Sequence, residues 1–437
     1  MRALKKLLQT ISPEFALLKY HHLRAAYAVW KNNYPARKMV IIGITGTKGK
    51  TSTANYVWSV LRAGGMRTGL ISTANFRFDD EEEANTFHMT MPSAFLIQTK
   101  LRQMYEKGIQ VAVVEMTSEG MKQYRHLGIP VDIAIFTNLT PEHLNSHKGN
   151  FEIYKRAKSP LFKSVSKHPR KVIDGKEIPR VIIANADSEH SLYYLQFEAD
   201  QKITYGLEHG DVRATHVVTS KNDTTFVADD ELCRLSIPGT FNIYNALPAF
   251  VVGTVLDIPK NDIKIGLEGL NLIPGRMELI NEGQGFTVVV DYAHEPASLG
   301  ALMSAADTLK DPLGKTILII GVIGGGRQSR VPMARLGAQR ADILIITNED
   351  PYEYDPEVLI QELATVAQEE GKRIDENLFT FTDRREAITH ALTLASAGDI
   401  VLVSGKGAEQ TMITKHGPIP WNERAIVREL VREHAQK

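Results

Sequence analysis

Between residues 43 and 52 the chain reads Gly-Ile-Thr-Gly-Thr-Lys-Gly-Lys-Thr-Ser, a set of residue types suited to holding a phosphate. An apolar segment, Met39 to Ile44, leads into it, and a helix-like segment begins near Lys50. Glycines at 43, 46 and 49 let backbone approach an anion. N–H groups at a helix start point towards that anion, and Lys50 adds a point charge. The Thr51 hydroxyl is placed to reach a magnesium ion. The spacing departs from G-x-x-x-x-G-K-[ST], because Ile44 stands where the first glycine would be. Strand, turn and helix together predict a site for a nucleoside triphosphate. Gly46, Thr47, Lys48 and Gly49 form its loop, and Lys50, Thr51 and Ser52 form its helix start.

Three further groups could serve such a site. The run Val111 to Glu115 reads as a buried strand ending in a carboxylate, and ligands of α/β sheets gather at the carboxyl ends of strands. An acid there beside a phosphate loop suits magnesium, although a water-exposed strand-end acid fits the pattern as well. Residues 136–143, Phe-Thr-Asn-Leu-Thr-Pro-Glu-His, again follow an apolar strand and bring His143 to the same edge. Tyr154-Lys-Arg-Ala-Lys158 lies on a helical segment; composition alone treats Lys158 as one more solvated lysine.

The elements that must position these groups alternate in type. Strands are expected at 39–44, 67–73, 110–115, 131–137 and 180–184, and helices at 50–64, 93–107 and 150–167. That alternation predicts a mostly parallel α/β sheet with crossover helices. Residues 201–237 change character, with short antiparallel strands expected at 214–219 and 224–228. The second half repeats the alternation, with strands at 286–291, 315–321, 342–347, 378–381 and 399–404. Pro274-Gly275 reads as the linker between the halves, and residues 167–180 read as an exposed insertion. The division expected is an amphipathic helical segment 1–38, a central ATP-binding domain 39–273 and a C-terminal domain 274–437. The fold class is α/β, with a central P-loop-type sheet domain followed by a Rossmann-like domain.

Composition sets the outer bounds. The 437 residues exceed one ordinary core, and 43% hydrophobic with 23% charged residues is a globular balance. Lys+Arg and Asp+Glu both number 51, so no nucleic-acid partner is implied. A single cysteine, Cys233, excludes an internal disulfide framework and a cysteine metal cluster, and a reducing cytoplasm is the natural setting. No apolar run approaches the ~20 residues of a bilayer span. Near the N-terminus, Leu4, Leu7, Leu8 and Ile11 are spaced for a helix face. Residues 14–30 continue with Phe15, Leu17, Leu18, Leu23 and Trp30 among basic and His residues. Docking of that face on the first domain is expected; peripheral contact with a membrane surface is the alternative.

Taken in order, these motifs resemble the Mur ligase family, most closely its branch that adds the third residue to the muramoyl peptide. The resemblance runs from Met39 to about Gln410. It rests on the phosphate loop, in which Lys48 replaces a usual Asn, and on Glu115-Met-Thr-Ser118, Thr137 to His143 and Tyr154 to Lys158. It continues through Gly239-Thr-Phe-Asn-Ile-Tyr-Asn245, Gly275-Arg-Met-Glu278, Asp291-Tyr-Ala-His294 and Gly405-Lys-Gly-Ala-Glu409. The resemblance implies ATP-dependent formation of an acyl phosphate on a substrate carboxylate, then its displacement by an amine. Positioned cations would stabilise the transferring charge. Lys50 and Thr51 would serve the phosphates and a first magnesium. Glu115 and His143 would hold a second, with Lys158, as its carbamate, a further anionic ligand. Asn242, Asn245, Arg276, Asp291 and His294 would contact the nucleotide from two sides of a closing cleft that excludes water.

For the substrates, the resemblance implies a muramoyl-peptide acceptor held by Thr90, Ser118, Gln123 and Arg125. The incoming amino acid would meet Arg327, Asp350, Tyr352, Gly405 and Glu409, with Arg327 clamping its α-carboxylate. A diaminopimelate-adding member has Asp-Asn-Pro-Arg where this chain has Glu349-Asp350-Pro351-Tyr352. The missing Arg and the two acids point to a distal ammonium, as in L-lysine, instead of a distal carboxylate. Family members place about a hundred residues of uridine-binding domain before the phosphate-loop strand. Here that strand starts at residue 39, so a lipid-linked or otherwise rearranged muramoyl peptide, or a different γ-glutamyl-like carboxylate, is a second expectation for the acceptor. A monomer is expected. Two other readings remain open: a folylpolyglutamate- or cyanophycin-type amide ligase, and a nucleotide-binding regulator without catalysis.

Overall fold

The computed structural model describes residues 14–87, 89–142, 144–173, 175–325 and 329–436. The runs Val40–Thr45, Val111–Glu115, Ile133–Phe136 and Val181–Asn185 are buried along their whole length. They are almost uninterruptedly apolar because both faces of a parallel sheet are covered. They form the centre of a nine-stranded sheet. Its strands are β1 (Val40–Thr45), β2 (Thr68–Ile71), β3 (Asn75–Phe78), β4 (Glu81–Ala84), β5 (Val111–Glu115), β6 (Ile133–Phe136), β7 (Val181–Asn185), β8 (Gln201–Gly206) and β9 (Val212–Arg213). The order is β9-β8-β7-β6-β1-β5-β2-β3-β4, antiparallel only at the β2-β3-β4 edge. Strand β1 lies between β5 and β6, parallel to both, with Ile44 opposite Glu115 and Thr45 opposite Phe136. The phosphate loop, Glu115 and residues 137–140 therefore leave the sheet at one edge.

Helices cover this sheet. Helix α1 (Glu14–Lys31) precedes β1, α2 (Lys50–Ala63) follows the phosphate loop, and α3 (Ala94–Glu106) precedes β5. Ser93 caps α3 by accepting the Leu96 N–H at 3.3 Å. The single helix expected over 150–167 is two, α4 (Phe151–Ala157) and α5 (Ser159–Val165). Pro160, in the first turn of α5, has no N–H to continue the ladder, and Lys158 sits at the break.

One expectation is corrected here. Helix α1 does dock on its unit, but through Ala25, Ala28 and Val29, with Val29 against Gly128. Leu23 and Trp30 point outwards, at 60% and 64% exposure. The residues 1–13, with Leu4 to Ile11, lie outside the described residues. The stretch 167–180 is exposed at most of its described positions, as expected, and one lysine anchors it. Its hairpin, Val172–Ile173 with Lys176–Glu177, follows Lys171, whose ammonium is buried. Lys171 Nζ donates to the carbonyls of Ala36, Met39 and Pro130 and pairs with Asp132 at 2.7 Å.

Chain contacts divide the protein into two compact units. The first takes residues up to Val217, Thr225–Leu235 and Asn242–Leu270; the second takes Val218–Thr224, Ser236–Phe241 and everything from Asn271. The second unit has a six-stranded sheet of β10 (Glu278–Ile280), β11 (Thr287–Asp291), β12 (Thr316–Ile323), β13 (Ile343–Asp350), β14 (Leu378–Phe381) and β15 (Ile400–Ser404). Its order is β10-β11-β15-β12-β13-β14, parallel except for β10. The expected linker Pro274-Gly275 lies just past the unit boundary at Leu270, and a Cβ on Gly275 would lie 2.1 Å from the Ala408 nitrogen, so this turn packs on the 407–408 backbone. Among the described residues no helix is long and apolar enough to cross a membrane.

Candidate active site

The phosphate loop is held in shape by the segment that follows β6. Thr137 Oγ1 donates to the Lys48 carbonyl at 2.7 Å, the Lys48 N–H reaches Asn138 Oδ1 at 2.8 Å, and the Thr47 N–H reaches the Asn138 carbonyl at 2.9 Å. Two glycines are required by contact. A Cβ on Gly46 would stand 1.9 Å from Thr137 Oγ1. At Gly49, with φ +78°, it would stand 2.3 Å from Asn245 Oδ1. The second contact brings Asn245, on helix α6 (Phe241–Val255), against the loop, and Asn245 Nδ2 donates to Asn242 at 3.1 Å. Thr51 and Ser52 are buried in the first turn of α2.

Two lysines converge on one carbonyl. Lys50 Nζ donates to Gly46 O at 3.1 Å and Thr47 O at 2.8 Å, while Lys158 Nζ reaches Gly46 O at 3.0 Å. Lys158 is 1% exposed and its ammonium lies over the Tyr154 ring, 4.4 Å from the centroid. Burial, then the Lys50 charge, push its amine well below the ordinary lysine range, with Glu142 opposing. Glu142 pairs instead with Lys48 at 2.8 Å. Tyr154 OH and Thr47 Oγ1 are 3.0 Å apart. The motif containing Tyr154 is visible in the sequence; nothing there points to its hold on the loop.

Glu115 is fully buried. Thr73, just beyond β2, donates to it twice, N–H to Oε1 at 2.9 Å and Oγ1 to Oε2 at 3.0 Å. Thr73 Oγ1 also lies 2.8 Å from Thr90 Oγ1, so the strand-end acid and the expected acceptor residue are joined through one hydroxyl. Thr73 was missed in the sequence, although its place just past a strand at this edge was the signal available. His143 lies outside the described residues. Among those residues no three His, Cys, Asp or Glu side chains form a metal cage. The set present still fits magnesium, which is commonly bound by one or two carboxylates together with phosphate oxygens and waters. Glu115 supplies such a carboxylate and Thr51 a hydroxyl.

The residues expected to meet the acceptor lie together. Arg125 donates to the Met91 carbonyl and, at 2.6 Å, to Gln123 Oε1, and the Thr117 N–H meets Met91 Sδ. Segments 90–92 and 117–125 thus share one surface, and Arg125 is no solvated helix residue. Ser118 Oγ lies 3.0 Å from Nε2 of His147, a buried histidine that the sequence left unremarked.

In the second unit, Tyr292 ties several expected residues together. The Arg276 guanidinium lies 4.3 Å over its ring, His294 Nδ1 is 2.7 Å from its carbonyl, and its hydroxyl donates to Glu409 Oε1 at 3.2 Å. Asp291 Oδ2 accepts the Met277 N–H at 2.6 Å. Lys406, fully buried, pairs with Glu409 at 2.6 Å and Asp350 at 3.0 Å. Glu349 is buried where a Gly405 Cβ would come within 2.3 Å of its Oε2. Burial raises its carboxyl to about 7 against the pull of Arg384 and Lys406. This corrects one expectation: Glu349 and Asp350 are not two open acids awaiting a ligand ammonium, because both are buried among cations of the fold. Tyr352 adopts φ +55° and its N–H bonds to the Ile413 carbonyl at 3.1 Å. Arg327 lies outside the described residues.

A phosphate loop at the carboxyl edge of a parallel sheet, with a buried acid and a charge-depressed lysine beside it, defines a nucleotide-dependent ligase of the α/β class. The Mur ligase middle-domain model matches residues 44–253, and the Mur ligase glutamate-ligase-domain model matches 275–407. The chain belongs to the Mur ligase family and is an ATP-dependent acid–amino-acid ligase of peptidoglycan precursor synthesis. It is 36% identical to the UDP-N-acetylmuramyl-tripeptide synthetase of Roseiflexus sp. (strain RS-1), over 92% of this chain and 80% of that protein. It is 34% identical to the UDP-N-acetylmuramoyl-L-alanyl-D-glutamate–2,6-diaminopimelate ligase of Bacillus licheniformis, over 91% and 80%. A solved Mycobacterium tuberculosis folylpolyglutamate synthase shares the fold, with TM-score 0.70 and 17% identity over 90% of this chain and 96% of that one. Enzymes of the family require magnesium with their ATP.

Proposed function

We propose that this chain adds an amino acid to the free carboxylate of a muramoyl-dipeptide acceptor, making the third peptide link. The acceptor carboxylate attacks the γ-phosphorus of ATP and ADP leaves. The amine then attacks the acyl carbon, loses a proton and expels phosphate. Lys50 and the loop N–H groups would hold the phosphates, Thr51 a first magnesium, and Glu115, His143 and carbamylated Lys158 a second. When bound, the metal would supply charge neutralisation at the transferring phosphoryl group. Gln123 and Arg125 orient the acceptor, with Thr90 and Ser118 beside them. Asn242, Asn245, Arg276, Asp291 and His294 contact the nucleotide. Arg327 and Glu409 hold the amino acid's backbone groups, next to Gly405 and Tyr352, while Asp350 fixes Lys406. We place this enzyme in the cytoplasm as a monomer.

The observation that carries this reading is Lys158. A bare ammonium in that position would repel a metal, whereas an amine whose basicity burial lowers gives up its proton more readily and can add to carbon dioxide as an anionic carbamate. An intact-mass difference of one carbon dioxide, lost in Lys158→Ala, tests that modification. The function is tested by ADP release with muramoyl-dipeptide and an amino-acid panel, read by product mass. Release that needs both acceptor and amine supports the ligase. Turnover with a folate-type acceptor only, or nucleotide binding without acceptor-dependent turnover, overturns it.

The side-chain preference rests on Tyr352 alone, since Glu349 and Asp350 are committed within the fold. Without an arginine at that position, an amino acid lacking a distal carboxylate is favoured. Faster phosphate release with diaminopimelate than with lysine would overturn that preference.

A further inference from the structure

Helix α1 buries its small residues and leaves its large ones outside. Leu23 and Tyr27 are 60% and 54% exposed, an arrangement that burial of apolar area disfavours unless something covers them. They border a cavity of about 530 Å³ between α1 and the amino-terminal end of α3. Tyr20, Arg24 and Tyr27 form one wall, and Phe95, Gln123 and Arg125 lie across from them. Two guanidiniums and no carboxylate line it among the described residues. The Arg24 guanidinium lies over the Tyr20 ring, 5.4 Å from its centroid. Arg24 forms no ion pair among the described residues. Aromatic walls with a few convergent cations are the make-up of a small-ligand site, and guanidinium is suited to phosphate.

Gln123 and Arg125 belong both to this lining and to the acceptor site, so the cavity continues that site towards α1. We propose that it holds the sugar-phosphate end of the acceptor, remote from the reacting carboxylate. Arg24 meets a phosphate, and the Tyr20 and Tyr27 rings lie against the sugar. This inference rests on the function proposed above. A nucleoside diphosphate and a polyprenyl diphosphate would present the same sugar-phosphate chemistry, and the printed names of the relatives give the nucleotide form.

The test uses the full chain and three muramoyl-dipeptide acceptors: UDP-linked, polyprenyl-diphosphate-linked in detergent, and phosphate-free. Arg24→Ala is expected to raise the acceptor KM about tenfold for a phosphate-bearing acceptor, the loss of one charge-assisted contact. KM for ATP and for the phosphate-free acceptor should not move. Tyr27→Ala should raise KM for all acceptors used, and Arg24→Lys should restore part of the phosphate discrimination. Whichever linked acceptor shows the Arg24 dependence identifies its source. Equal effects on acceptors with and without phosphate, or none, overturn this inference and leave the function standing. A wild-type chain that turns over no muramoyl acceptor overturns both.

Discussion

Nε2 of His147 lies 3.0 Å from Oγ of Ser118, and the pair spans the short helix Ser118–Lys122 and the turn before α4. The imidazole is buried and packs tilted against the Tyr154 ring, with ring centroids 5.2 Å apart. Burial holds its pKa below the ordinary histidine value, with Glu119 pulling the other way. A neutral ring at pH 7 can therefore fix the Ser118 hydroxyl. His147→Ala is expected to raise the acceptor KM about three- to tenfold, the worth of one hydrogen bond, with little change in kcat. His147→Gln should recover part of it. Steady-state kinetics with ATP and amino acid saturating decides.

His126 gives a pH signature of stability. Burial lowers it to about 4 in the folded chain, against 6.5 unperturbed. The unfolded state then binds the proton first, so stability is intact above pH 6.5 and falls as pH drops towards 4. The loss should be on the order of 2–3 kcal/mol, at about 1.4 kcal/mol per unit. Urea unfolding between pH 7 and 4 should show a shallower decline in His126→Phe.

Lys158→Ala is expected to lower kcat about a thousandfold, on the scale of losing one electrostatic stabiliser of the transferring charge. Formate or acetate should restore a measurable fraction, because a small carboxylate can occupy the place of the carbamate. Lys158→Arg should not be rescued.

Lys171→Met leaves Asp132 buried without its cation and three carbonyls without a donor. A cost of about 3–5 kcal/mol follows for breaking a buried pair from one side. Chemical denaturation measures it, and ATP affinity in the surviving folded fraction should be unchanged.

Gly46→Ala puts a methyl where Thr137 Oγ1 stands. Nucleotide affinity is expected to fall about tenfold or more as the loop N–H groups are displaced. Gly46→Ala combined with Thr137→Ala should recover part of the affinity, read by calorimetry with ADP.

Much of the fold was legible because buried parallel strands announce themselves: Val40–Thr45 and Val111–Glu115 are read almost to the residue. The window 150–167 holds two helices instead of one, because Pro160 has no N–H to carry the ladder across the break. In the site, residues tied to the backbone course of β1, β5 and β6 came out together, as Lys50 and Glu115 did. Residues that act through tertiary contact alone were hidden. Lys406 neutralises Asp350 from a different strand end, and nothing local distinguishes Glu349-Asp350 as buried acids from open ones. The docking face of α1 is hidden for a related reason. The pattern of large apolar residues points to one side, whereas close helix packing selects Ala25 and Ala28.

Thr73 carries one hydroxyl hydrogen, yet two oxygens lie within reach of it, those of Glu115 and Thr90. One hydrogen cannot serve both oxygens at full strength. Given to Glu115, it leaves Thr90 to donate to Thr73 and to turn lone pairs outward, suited to an amide N–H. Given to Thr90, it frees the Thr90 hydrogen for an oxygen outside. A strand-end acid and a half-buried threonine are thus coupled through a single proton.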